Sequence, residues 1–108
     1  MLDTIKKHSD FIMPENCATF KTPLFIAKAR STIFQSGGKF GLVATKRIFH
    51  LAVQRNRAKR LLRAWLIENQ AFLNPALDYV FIARTAIIEA TKTDGVKFMK
   101  QALESLKK

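Results

Sequence analysis

The segment from Ala52 to Asn69 constrains this chain more than any other. Ala58, Leu61, Leu62, Trp65 and Leu66 recur at helical spacing, which predicts one helix with a single apolar face. At about 100° per residue, Arg55, Lys59 and Arg63 fall on one ridge of that helix, with Asn56 and Arg60 beside it. Arg57 lies outside the ridge, toward the helix edge. An apolar stripe must be buried against a second layer, so the helix is expected to lie on a sheet or another helix with its cationic side outward.

The charge of the whole chain is organised around this helix. Residues 16–67 contain no Asp or Glu, yet they hold eleven of the 19 Lys and Arg residues. The other eight basic residues match the 8 acids in number, so the net charge of +11 arises from the acid-free stretch alone. Salt bridges between residues four apart cannot neutralise a face that has no acid before Glu68. A localised excess of this size favours a polyanionic partner, and nucleic acid gains most because phosphate neutralisation releases condensed counterions. A membrane surface fits less well, since no basic amphipathic terminal helix is evident.

The length of 108 residues suits one domain spanning 1–108, and an apolar share of 48% with nine Phe is enough for a compact core. A single cysteine, Cys17, excludes an internal disulfide and any multi-cysteine metal site. It reads as a small apolar residue in a reducing compartment. The first residues lack an apolar secretory core, and the longest apolar run, Tyr79 to Ala83, is too short to cross a bilayer. A cytoplasmic protein without a membrane partner is expected.

Elsewhere the patterning predicts an α/β sandwich in the order helix, strands, helix, strand, helix. Thr4 to Met13 reads as a short first helix stopped by Pro14. Ala18 to Ala29, interrupted by Pro23, reads as one or two short strands. The turn Ser36-Gly37-Gly38 precedes a strand from Lys39 to Lys46, and the two runs are expected to pair as a long antiparallel hairpin. Asp78 to Arg84 has the apolar continuity of a central strand buried on both faces. A last helix from Gly95 to Lys107, capped by Thr93 or Asp94, carries Val96, Met99, Leu103 and Leu106 on one stripe.

No catalytic constellation made of protein side chains stands out. His8 and His50 have no metal-ligand spacing with another His, Cys or carboxylate, and the acids show no paired-carboxylate arrangement. No catalytic and no metal-ligating residue is assigned. The basic helix, in contrast, has the right chemistry for RNA: arginine forks and lysine point charges for phosphate, and the neutral amide of Asn56 to donate and accept at once. Lys46 and Arg47, at the end of the preceding strand, extend this patch. Phe11 and Phe25 are the aromatic candidates for stacking single-stranded bases, with core packing the competing role for every Phe.

The stretch Phe40-Gly41-Leu42-Val43-Ala44-Thr45-Lys46-Arg47, followed by Arg55-Asn56-Arg57-Ala58-Lys59-Arg60-Leu61-Leu62-Arg63, resembles the protein subunit of bacterial ribonuclease P. Asp78-Tyr79-Val80-Phe81-Ile82-Ala83-Arg84 is similar to a later strand of that family. The resemblance covers roughly Lys39 to Arg84, and two motifs in order make it specific where a lone Arg-Asn-Arg would not be.

It implies an αβββαβα order with a four-stranded sheet and a left-handed crossover at the basic helix, a fold like the second domain of a small-subunit ribosomal protein. It also implies a holoenzyme component of an endoribonuclease that assists removal of the 5′ leader from precursor tRNA. Magnesium would be bound mainly by the catalytic RNA partner, which would perform the hydrolysis, and the protein alone would hold no cofactor. By this resemblance Lys46, Arg47, Arg55, Asn56, Arg57, Lys59, Arg60 and Arg63 would contact RNA, and Phe11, with Phe25 as a further candidate, would face a leader cleft. Met13-Pro14-Glu15-Asn16 departs from the family pattern and predicts a shortened first helix. The alternative is a ribosomal or ribosome-assembly protein of similar fold, which would carry the same helix and differ in the RNA that copurifies with it. A DNA regulator is the most distant reading, because no helix-turn-helix partner is evident.

Overall fold

The computed structural model describes residues 2–106. Five strands form one mixed sheet: β1 (Asp3–Thr4), β2 (Ala18–Lys21), β3 (Phe25–Ser31), β4 (Lys39–Val43) and β5 (Leu77–Ala83), in the spatial order β1-β4-β5-β3-β2. Helix α1 (Ala52–Glu68) lies between β4 and β5 in the chain, and α2 (Lys92–Ser105) follows β5. The α/β layering and the parallel crossover from β4 through α1 to β5 agree with the sequence. The two-residue β1 makes the strand count five instead of four.

Two expectations are corrected. The hairpin between the Phe25 run and the Lys39 run does not form, because β5 inserts between them, antiparallel to β3 and parallel to β4. The most apolar strand gains ladder partners on both edges this way, and its Asp78 ties all three segments. One carboxylate oxygen accepts from the Lys39 amide at 3.0 Å, and the other accepts from the Ile33 amide at 3.1 Å and from Arg30 Nε at 3.0 Å. The approach is close enough that a Cβ on Gly38 would collide with the Leu77 carbonyl, while Gly37 takes the turn with φ +105°.

The second correction concerns Thr4 to Met13, which forms no α-helix. Ile5 is buried and its amide donates to the Phe40 carbonyl at 2.7 Å, so this end of the segment becomes an edge strand beside β4. Only a single 3-10 turn, His8–Phe11, remains, and Ile12 leaves it in extended geometry. Pro14 disfavours helical geometry at Met13, which leaves too few residues for a stable helix.

The core lies on one side of the sheet. Strand alternation places Phe25, Ala27 and Ala29 with Tyr79, Phe81 and Ala83 on the face covered by α1 and α2. Ala58, Leu62, Trp65 and Leu66 of α1 meet this layer, as do Met99, Ala102 and Leu103 of α2. The Phe25 and Trp65 rings lie 6.4 Å apart, Phe25 and Phe81 6.1 Å apart edge to face, and Tyr79 stacks on Phe81 at 5.9 Å.

Asn69, buried at the end of α1, donates to the carbonyls of Trp65 at 2.9 Å and Val96 at 3.1 Å and so ties the two helices together. Helix α2 begins earlier than its apolar stripe suggests: Thr91 is the cap, its hydroxyl accepting from the Asp94 amide at 3.1 Å. Lys107, the expected last residue of this helix, lies outside the described residues. Gly95 is packed against the Trp65 indole so closely that a Cβ would overlap the ring. Gly95→Ala is therefore expected to destabilise the fold by about 1–3 kcal/mol despite its better helix propensity. Thermal or denaturant unfolding checks the sign.

Candidate nucleic-acid interface

The outer side of α1 is cationic because its inner side is fixed by the core. With Ala58, Leu62, Trp65 and Leu66 buried, Asn56, Lys59, Arg60 and Arg63 emerge together and line one shallow surface depression. All four are exposed. Among the described residues, none of these three cations forms an ion pair, and the Asn56 amide makes no hydrogen bond. The only ion pair on α1 among those residues is the exposed Glu68–Lys92 contact at 3.5 Å. A helix face with three free cations and one unengaged amide offers phosphate neutralisation plus directional hydrogen bonding.

The remaining basic candidates are placed differently. Arg55 is half-buried and Nη1 donates to the carbonyls of Phe49 at 2.9 Å and His50 at 3.1 Å. It thus braces the turn before α1, a turn anchored by the buried Phe49 ring and by the Phe49 amide bonded to the Thr45 carbonyl at 2.9 Å. Lys46 and Arg47 stand exposed on this braced turn. Arg57 is exposed and reaches across to the Ile88 carbonyl, with Nη2 at 3.3 Å.

Phe11 is brought close to α1. Its half-buried ring lies directly over Gly41 of β4, where a Cβ would collide with it. It borders a cleft of about 240 Å³ whose walls also include Ile5, Leu42, Lys59 and Arg63. Phe11 and two cations of α1 therefore border a single opening, which Phe40 also lines.

Phe25 does not join them. It is fully buried against Trp65 and Phe81, because its register opposite Ala83 puts its ring on the helix-covered face of the sheet. The leader-cleft assignment for Phe25 is corrected accordingly.

The sheet face opposite the helices holds residues that sequence reasoning missed as a surface. Registers align Val43 with Ile82 and Ile82 with Ile26, and Gly41 with Val80 and Val80 with Lys28. Phe11 over Gly41 and Arg30 beside Asp78 lie on this same face. The alternation of Ile26, Lys28 and Arg30 with Phe25, Ala27 and Ala29 was a readable signal of two-faced character. The strand order that assembles the face was not.

Together the fold and site define a small α/β protein that presents a cationic helix face next to an open sheet face bearing one aromatic ring. The family model for ribonuclease P matches residues 3–107, and the chain belongs to that family. It is 46% identical over 46 residues to a ribonuclease P protein component of Lactobacillus delbrueckii subsp. bulgaricus, covering 43% of this chain and 38% of that protein. Against the ribonuclease P protein component of Lactobacillus helveticus it is 35% identical over 68 residues, covering 63% of this chain and 53% of the relative. The chain thus matches about two fifths to one half of the length of these curated relatives.

The fold is shared with solved structures. The Staphylococcus aureus RNase P protein superposes with a TM-score of 0.76 at 21% identity, over 96% of this chain and 94% of that one. The Thermotoga maritima RNase P protein superposes with a TM-score of 0.67 at 19% identity, over 83% of this chain and 84% of that one. No helix among the described residues is long and apolar enough to cross a membrane. Nor do those residues hold a group of three or more His, Cys, Asp or Glu placed to bind a metal ion.

Proposed function

We propose that this protein is the RNA-binding subunit of a ribonuclease P holoenzyme, acting in the cytoplasm on the 5′ leader of precursor tRNA. The observation that carries this reading is the shared opening of Phe11, Lys59 and Arg63 beside the free cations of α1. Asn56, Lys59, Arg60 and Arg63, joined by Lys46 and Arg47 on the braced turn, bind the backbone of the catalytic RNA. Arg55 and Arg57 add charge at the flanks while holding the local structure.

The open sheet face takes the single-stranded leader. A base stacks against Phe11, Lys28 meets a phosphate, and Ile26, Val43 and Ile82 provide an apolar floor. The protein's contribution is positioning and charge screening between two RNAs, which repel each other most when magnesium is scarce. Magnesium held by the RNA supplies the hydrolytic chemistry when bound. The protein keeps the leader extended and away from competing pairing, and no side chain of this chain takes a proton in the reaction.

Addition of the protein to a cognate catalytic RNA is expected to increase precursor-tRNA cleavage at low magnesium. The increase should shrink as magnesium is raised, since the ions then take over the screening. Folded protein that gives no stimulation of an active RNA would sink this reading.

A further inference from the structure

Arg30 was one of the eleven cations of the acid-free stretch, yet the fold withdraws it from any RNA-facing role. Its side chain is 9% exposed and its guanidinium is committed to three acceptors. Nε donates to Asp78 Oδ2 at 3.0 Å, Nη1 to the Ile12 carbonyl at 2.8 Å, and Nη2 to the Asp10 carbonyl at 2.8 Å. Those two carbonyls flank Phe11. The 3-10 turn that carries Phe11 has no side-chain cap and contains no buried residue. The Phe11 ring itself rests on Gly41.

We infer that Arg30 is the positioning residue for Phe11: its guanidinium, oriented by the buried Asp78 carboxylate, clasps the backbone on both sides of Phe11 and sets the ring over Gly41 at the leader cleft. The inference rests on the proposed function for what the ring contacts, but the clasp itself is a property of the free protein. A planar fork is required. It spans two carbonyls and a carboxylate at once, and a lysine ammonium on a flexible stem cannot hold that geometry. The clasp also explains how a first segment interrupted by Pro14 still presents an aromatic ring, since two guanidinium hydrogen bonds to that segment substitute for helical packing.

The experiment compares wild type, Arg30→Met and the double variant Arg30→Met/Asp78→Asn, the latter to relieve the unpaired buried carboxylate if the single variant fails to fold. In the free protein, hydrogen exchange of the amides of residues 8–13 is expected to rise in the variants by more than that of β3 and β5 does. In the reconstituted holoenzyme, the affinity ratio between leader-bearing precursor and leaderless mature tRNA is expected to fall by about fivefold or more, the size of one lost base–aromatic stack. In a Phe11→Ala background, Arg30→Met should change that ratio no further, a non-additivity that a general loss of stability would not produce.

Unchanged exchange at residues 8–13 overturns the clasp. Raised exchange with an unchanged leader preference, or additive effects with Phe11→Ala, overturns the positioning role. Wild-type protein with no leader preference overturns the proposed function and with it the role given to Phe11, while the exchange result still judges the clasp.

Discussion

Replacing Lys59, Arg60 and Arg63 together by alanine is expected to weaken binding to the catalytic RNA by about a hundredfold at physiological ionic strength. The slope of log affinity against log salt should flatten by about three units, roughly one for each phosphate contact removed. The three side chains point into solvent from a helix whose other face holds the core, so unfolding stability should change by only about 0.5 kcal/mol per site. Asn56→Ala serves as the comparison: it removes a hydrogen-bonding amide without a charge, so affinity should fall with the salt slope preserved. Salt titrations of binding distinguish the two, and a triple variant with wild-type affinity and slope would place this face off the interface.

The largest effect on stability is expected at Asp78. It is fully buried, pairs with Arg30 and accepts the backbone amides of Lys39 and Ile33. Asp78→Ala leaves a nearly buried guanidinium and two amides without their acceptor, a loss of about 3–5 kcal/mol. That is a large fraction of the roughly 5–15 kcal/mol available to a small domain.

The pH dependence follows from the same contacts. Burial by itself would raise the carboxyl's pKa, but the Lys39 amide, the Thr32 hydroxyl, the Ile33 amide and Arg30 outweigh it and hold the pKa below the ordinary value of 3.8. Because the folded pKa lies below the unfolded one, this contribution is full above the ordinary value and is lost as pH falls through the folded one. Wild-type stability should therefore drop more steeply on acidification below about pH 4 than that of Asp78→Asn. Denaturant midpoints across that range test this, and parallel acid limbs would show that Asp78 does not carry the linkage.

Both experiments concern features that were unequally legible in the amino-acid order. The helix Ala52–Glu68 and its buried stripe follow from spacing alone, because a 3.6-residue period leaves little choice of face. Its cationic side was equally plain, since no acid between Glu15 and Glu68 competes for those charges. The central position of β5 was readable in its apolar continuity. Less was visible where local pattern and long-range pairing compete. Two strand-forming runs joined by a Gly-Gly turn invite a hairpin, and only the insertion of β5 prevents it. Thr4 to Met13 has helical spacing, yet Ile5 pairs with β4 and Pro14 removes the room to propagate.

The sequence by itself determined that a basic helix would be laid over a sheet and would keep its charges outward. Composition and period are local properties, and charge cannot be buried without a partner. Only the tertiary structure decided which of the basic and aromatic residues lie together. Arg30 is taken out of the patch because β3 lies beside β5 and meets Asp78, and Phe25 is taken into the core by its register opposite Ala83. Phe11 is brought to Lys59 and Arg63 because Gly41 has no side chain to hold its ring away. These placements depend on contacts between segments far apart in the chain, and no local window of sequence encodes them.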